Sequence, residues 1–201
     1  MSGLINSHVT NPPLDVQATR QSLYNQIMTF SDGCRNAHFL ATILVSWRMG
    51  LGVLPDNLGL SEQTFEKLIR NNFPSFKFND GFVCDKVLDL KRLPEREDLV
   101  QLFLEHRTGV NDNEQWLAEI IATACIGFDH LWQDMGLWSR KSLSELIQHN
   151  FPTLAALNNR DMKWKKFLYK QLCLQQGIYI CRAPSCDVCA DYDNCFGSEE
   201  D

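Results

Sequence analysis

Four cysteines fall within fifteen residues near the carboxyl end, Cys181, Cys186, Cys189 and Cys195, spaced C-x4-C-x2-C-x5-C, and they are half of the chain's eight. Thiolates crowded this closely repel one another unless a cation or an iron-sulfur core neutralises them, so in a reducing compartment the run reads as a metal site. Pro184 stiffens the first turn, Asp187 and Asp191 can accept local backbone hydrogen bonds, and Gly197 allows an unusual backbone angle. An irregular loop wrapped around a ligand is therefore expected, rather than helix or strand. Two other chemistries compete with a cluster, and one known cluster spacing is matched only in part. Disulfides need an oxidising compartment, and the stretch from Met1 to His8 lacks the basic segment and apolar core of an export signal. Zinc takes the same ligands, but its ribbons present two separated C-x2-C knuckles, and here only Cys186 and Cys189 form one. The first three cysteines reproduce the opening of plant-type ferredoxins, whereas the fourth arrives after five residues instead of from a distant strand. Spacing favours an iron-sulfur or mixed-metal cluster and leaves open a zinc-stabilised interaction module or an iron-sulfur electron carrier.

What must position these thiols is a chain of 201 residues, 44% hydrophobic, enough for one real core. The net charge of -6 is concentrated: Asp187, Asp191, Asp193, Glu199, Glu200 and Asp201 fall in a tail without Lys or Arg, while upstream 19 acidic residues meet 19 basic ones. Acid around the cysteines argues against nucleic acid as a partner. The longest apolar run, Phe39 to Trp47, is far below the roughly 20 residues that span a bilayer, so a soluble, cytosolic protein is expected.

Residues 1–14 read as a polar leader carrying Pro12-Pro13, and residues 179–201 as the metal loop and acidic tail, leaving 15–178 as an all-α domain. Helical periodicity predicts elements over 15–31, 36–49, 95–107 (stripe Leu99, Leu102, Phe103, His106), 113–134 and 159–175, with Gly177 as the last stop. The longest carries Trp116, Leu117, Ile120, Ile121, Ala124, Cys125, Phe128, Leu131 and Trp132 on one face. Residues 75–94, with Cys84, read as connector. An internal repeat is visible: Leu58 to Pro74 lines up with Met135 to Pro152, with Trp138 as the single insertion. Each copy has a helix-start serine (Ser61, Ser139), an apolar stripe (Phe65, Leu68, Ile69; Leu143, Leu146, Ile147) and an Asn-Phe-Pro stop, and follows an apolar helix. This predicts a helical bundle built on a duplicated helix-turn-helix unit, about 36–76 and 116–154, with the irregular cysteine-rich loop at its carboxyl end.

The blocks Asp129 to Leu137, Phe151 to Asn158, Asp161 to Phe167, Lys170 to Cys173 and Cys181 to Gly197 resemble the NifQ family of nitrogen-fixation proteins. The family's carboxyl-terminal cysteine signature is matched at all four positions, and the likeness runs from about Glu95 to Glu199, more loosely over 36–76. The resemblance implies a protein whose Cys181, Cys186, Cys189 and Cys195 hold an iron-sulfur cluster able to bind molybdenum. It further implies delivery of that metal to the scaffold on which the nitrogenase iron-molybdenum cofactor is assembled, with the nitrogenase iron protein taking part. A donor rather than an enzyme is expected, because there is no nucleophile elbow, phosphate-binding glycine loop or dinucleotide fingerprint, and Gly50-Leu-Gly52 lacks the third glycine and the preceding strand. Lys163, Lys166 and Lys170 form one outer helical face suited to attracting an oxyanion or an acidic partner, or merely to facing solvent. His130 offers a metal ligand or proton relay, or else an i, i+4 partner for Asp134.

Overall fold

A computed structural model describes residues 14–31, 33–77, 94–177, 192–197 and 199. The leader, most of the connector with Cys84, and Cys181, Cys186 and Cys189 lie outside the described residues. Among the described residues every regular element is helical, and no helix is long and apolar enough to cross a membrane.

The chain begins with α1 (Leu14–Met28), which packs along α2 (Arg35–Arg48). Every residue of α2 from Asn36 to Trp47 except His38 is buried, because neighbours cover it on all sides. A 3-10 turn (Asp56–Gly59) leads to Ser61, whose hydroxyl accepts the Thr64 N–H at 3.2 Å and starts α3 (Glu62–Asn72). The order then recurs: α4 (Arg96–Glu105) packs on α5 (Asn113–Ala124), a single turn α6 (Leu131–Asp134) follows, and Ser139 accepts the Ser142 N–H at 3.1 Å to start α7 (Arg140–Asn150). Three elements continue beyond the second series: α8 (Pro152–Leu157), opened by its N1 proline, α9 (Trp164–Gln175), which packs on α4, and α10 (Tyr192–Phe196).

The two series exchange contacts reciprocally. Asn72, ending α3, trades two amide hydrogen bonds with Asn113 at the start of α5 (2.7 and 3.0 Å), and Asn150, ending α7, trades two with Asn36 at the start of α2 (2.8 and 2.9 Å). Each terminal asparagine also donates one turn back, to the Leu68 or the Leu146 carbonyl. All four are buried, so the amides satisfy one another where water cannot. Ten residues after Asn36 and Asn113 stand Ser46 and Thr123, each receiving a guanidinium hydrogen bond at 3.2 Å, from Arg20 and Arg96. Against the same two side chains lie glycines of the other series: a Cβ on Gly136 would come within 2.6 Å of Ser46 Cβ, and one on Gly59 within 2.7 Å of Thr123 Cγ2. Both glycines also hold positive φ (+75° and +81°), so neither position tolerates a side chain. The correspondence thus includes α1 and α4, which lie outside the repeat read from the sequence.

Other expectations are corrected. The helix foreseen over 113–134 is two pieces. After Ala124 the chain turns through Cys125–His130, and Phe128, placed on the buried face by periodicity, is 88% exposed. The cause is Lys165, whose ammonium donates to the Gly127 carbonyl just past α5 (2.9 Å) and to the Asp134 carboxylate, tying α6 to the end of α5. The last long helix starts at Trp164 rather than near Asn159. Asn158 closes a loop instead, accepting the Met162 N–H and donating to the Met162 carbonyl, both at 2.9 Å, around Asp161 at φ +56°.

Truncating either cross-pairing asparagine strands its partner's buried amide, which costs about 1–3 kcal/mol per group left unsatisfied. Asn72→Ala and Asn150→Ala should therefore lower the urea midpoint by similar amounts. Asn150→Ala combined with Asn36→Ala should cost less than the sum of the two singles; a fully additive pair would show that the amides do not depend on each other.

Candidate metal centre

Of the four expected ligands, Cys195 lies among the described residues, a free, half-buried thiol in α10 packed against the hydrophobic core. This part of the run was expected to be irregular and is instead one helical turn, because its residues find partners on both sides. The Lys163 N–H donates to the Cys195 carbonyl at 2.7 Å, and the Lys163 ammonium donates to the Asp193 carbonyl at 3.1 Å. Arg160 lies over the Phe196 ring (5.3 Å), which stacks on Tyr192 (4.6 Å). Gly197 does not adopt the left-handed region. Its use is a close approach, since a Cβ there would lie 2.5 Å from the Asp193 carbonyl.

Beyond Gly197 the chain is held a second time. Glu199 is only 4% exposed, with its carboxylate 3.4 Å from Arg140 Nε and 3.9 Å from His130 Nδ1. Arg140 turns its other edge to the loop before α9, gripping both oxygens of the Asp161 carboxylate at 2.8 Å and the Asp161 carbonyl at 3.2 Å. Burial alone would loosen the Arg140 proton, but the Asp161 and Glu199 carboxylates more than compensate, and the guanidinium is held above its ordinary range. One arginine at the start of α7 thereby joins the lead-in of α9 to the chain beyond Cys195.

The remaining sequence candidates separate. The His130 ring does not pair with the Asp134 carboxylate, although the His130 carbonyl accepts the Asp134 N–H (3.0 Å); His130 precedes α6, its N–H donates to Gln133 Oε1 (3.1 Å), and its ring faces Glu199. Asp134, 1% exposed, is taken by Lys165, and burial raises its carboxyl pKa against the pull of that ammonium. The lysine face divides: Lys163 is half-buried and holds the tail, while Lys166 and Lys170 are exposed. Cys125 is core, and burial pushes its thiol up to about 12. Three contributors escaped the sequence reading. Glu199 looked like one more acid of a solvated tail, and Arg140 like an ordinary first-turn residue. Lys165 did carry a signal, since it stands three and seven residues before Leu168 and Leu172 on the inward stripe, and a lysine there needs a buried acid.

Removing one member of the Asp134–Lys165 pair leaves a buried charge alone. Asp134→Asn should cost about 3–5 kcal/mol, and adding Lys165→Met should recover part of it; thermal melts of the three variants decide, and no recovery would mean that the ammonium is paired elsewhere. In the native protein Cys125 should resist iodoacetamide at pH 8 and react only on unfolding, as followed by peptide mass spectrometry. Native-state labelling of Cys125 would contradict its burial.

Comparison with known proteins gives one family. The NifQ family model matches residues 39–197. The chain is 44% identical over 175 residues to Protein NifQ of Azotobacter vinelandii, covering 82% of this chain and 89% of that one. It is 39% identical over 154 residues to Protein NifQ of Rhodobacter capsulatus (75% and 81%) and 35% identical over 170 residues to Protein NifQ of Klebsiella pneumoniae (79% and 96%). No solved structure matches.

Proposed function

The chain belongs to the NifQ family, and from that membership we propose that it serves nitrogen fixation as an iron-sulfur protein that binds molybdenum and supplies it for synthesis of the nitrogenase iron-molybdenum cofactor. The observation that carries this reading is the C-x4-C-x2-C-x5-C run, all of which falls inside the stretch matched by the family. Four cysteines are a soft donor set, suited to iron, sulfide and molybdenum rather than to hard cations. Cys195 fits this use: its backbone carbonyl is occupied by Lys163, while its thiol is free and only half-buried. Cys181, Cys186, Cys189 and Cys195 would be the protein ligands, and the bound cluster would give molybdenum a sulfur-rich environment.

In this reading the protein is a donor and not a catalyst, and molybdenum is its cargo. The helical domain supplies a fixed platform, and the exposed Lys166 and Lys170 offer positive charge beside an acidic tail for an incoming oxyanion. The partners are the scaffold that assembles the cofactor and the nitrogenase iron protein. A donor and an electron carrier differ in what leaves the protein, since a carrier keeps its metals through repeated redox cycles.

The reading is tested by a cofactor synthesis in vitro in which this protein, purified anaerobically and loaded with molybdenum, is the sole source of that metal. Active cofactor should form, and protein with all four cysteines changed to alanine should not support it. If free molybdate supports synthesis in the same mixture while the loaded protein does not, the donor reading fails. Stoichiometric zinc without iron in the purified protein would point to the interaction module instead.

A further inference from the structure

The tail is acidic throughout, yet a single carboxylate of it, Glu199, is buried among the described residues. Among the described residues its carboxylate lies 3.4 Å from the Arg140 guanidinium and 3.9 Å from the His130 ring, and its Oε2 accepts no hydrogen bond. A carboxylate is not drawn from water into such a place unless the charge opposite holds it there. Four residues earlier, Lys163 fixes the backbone of Asp193 and Cys195. The chain is thus held both at Cys195 and just beyond it, and both holds meet in the 158–163 loop, which Arg140 also grips.

We propose that Arg140 and Glu199 are positioning residues for Cys195, their buried ion pair fastening the chain beyond it so that one of the four thiols is placed by the helical domain. The assignment rests on the four-cysteine reading above. It makes Cys195 a ligand referenced to the helical core, and it gives a buried role to an acid in a tail that otherwise has the composition of solvated chain.

Two readouts on the full-length chain separate this inference from that reading. In the metal-free protein, the rate at which iodoacetamide labels each cysteine is followed by peptide mass spectrometry. Glu199→Ala should raise the Cys195 rate about tenfold, as expected when a local opening becomes easier, with helical circular dichroism unchanged and Cys125 still protected. Glu199→Gln, which keeps the shape and loses the charge, should fall between. Arg140→Met should behave like Glu199→Ala, and if it fails to fold, the two Glu199 variants still decide. After anaerobic reconstitution with ferrous iron and sulfide, Glu199→Ala should hold less iron per chain and give an altered electron paramagnetic resonance spectrum. An unchanged Cys195 labelling rate overturns the proposal whatever the metal content. Faster labelling with unaltered iron and spectrum overturns it too, because the thiol would then need no placing. Faster labelling in a chain whose wild type takes up no iron supports the fastening of Cys195 and overturns the cluster reading alone.

Discussion

The fold depends on two buried amide pairs, Asn36 with Asn150 and Asn72 with Asn113. Each pair joins the end of a serine-capped helix in one series to the start of the buried central helix in the other. A primary amide has two donors and one carbonyl, and in hydrocarbon surroundings each unmet group is costly. Two facing amides answer each other's geometry, and the spare N–H of Asn72 and of Asn150 goes to the carbonyl one turn earlier. Apolar side chains could fill the same volume but would accept many registers. The amides accept one, and that fixes how the helices cross and where the chain emerges toward α9.

Duplication does not make the series identical. Arg96 has Glu119 within 3.7 Å, but the place of Glu119 in the first series is held by Thr42, and Arg20 has no acid there. Arg20 lies over the Trp138 ring at 4.9 Å, and burial draws its pKa below the ordinary range. Trp138 is the residue inserted into the second copy. The insertion supplies an aromatic face where the second series uses a carboxylate, so the departure from the repeat has a packing function.

Much of this was legible in the sequence, for identifiable reasons. Ser61 and Ser139, the apolar stripes and the Asn-Phe-Pro stops are local signals, and each acts in the structure through local bonds and burial. The stop asparagines were read as punctuation, because a partner 41 or 114 residues away leaves no periodic trace. The break after Ala124 was hidden for the same reason: the apolar period runs on through Phe128, and the cause of the break, Lys165, lies 38 residues beyond Gly127. Around the candidate centre, residue types announced the cysteines, whereas the seat of Cys195 is built of Lys163, Asp161, Arg140 and Glu199, charged residues that look like solvent-facing ones until their distances are known.

A chain made of two similar series offers an incoming acidic strand two similar landing places, one at the first residue of each serine-capped helix. In the second series that residue is Arg140; in the first it is Glu62, exposed and negative. The backbone recurs, but the sign of the charge is reversed. From a tail with six acids and no base, Glu199 lies at the positive of the two, where the sign of the charge favours it. A single charge difference therefore separates the two halves of a nearly self-similar molecule: Glu199 seats at the half that opens with Arg140, and the helices that the two halves share are unaltered.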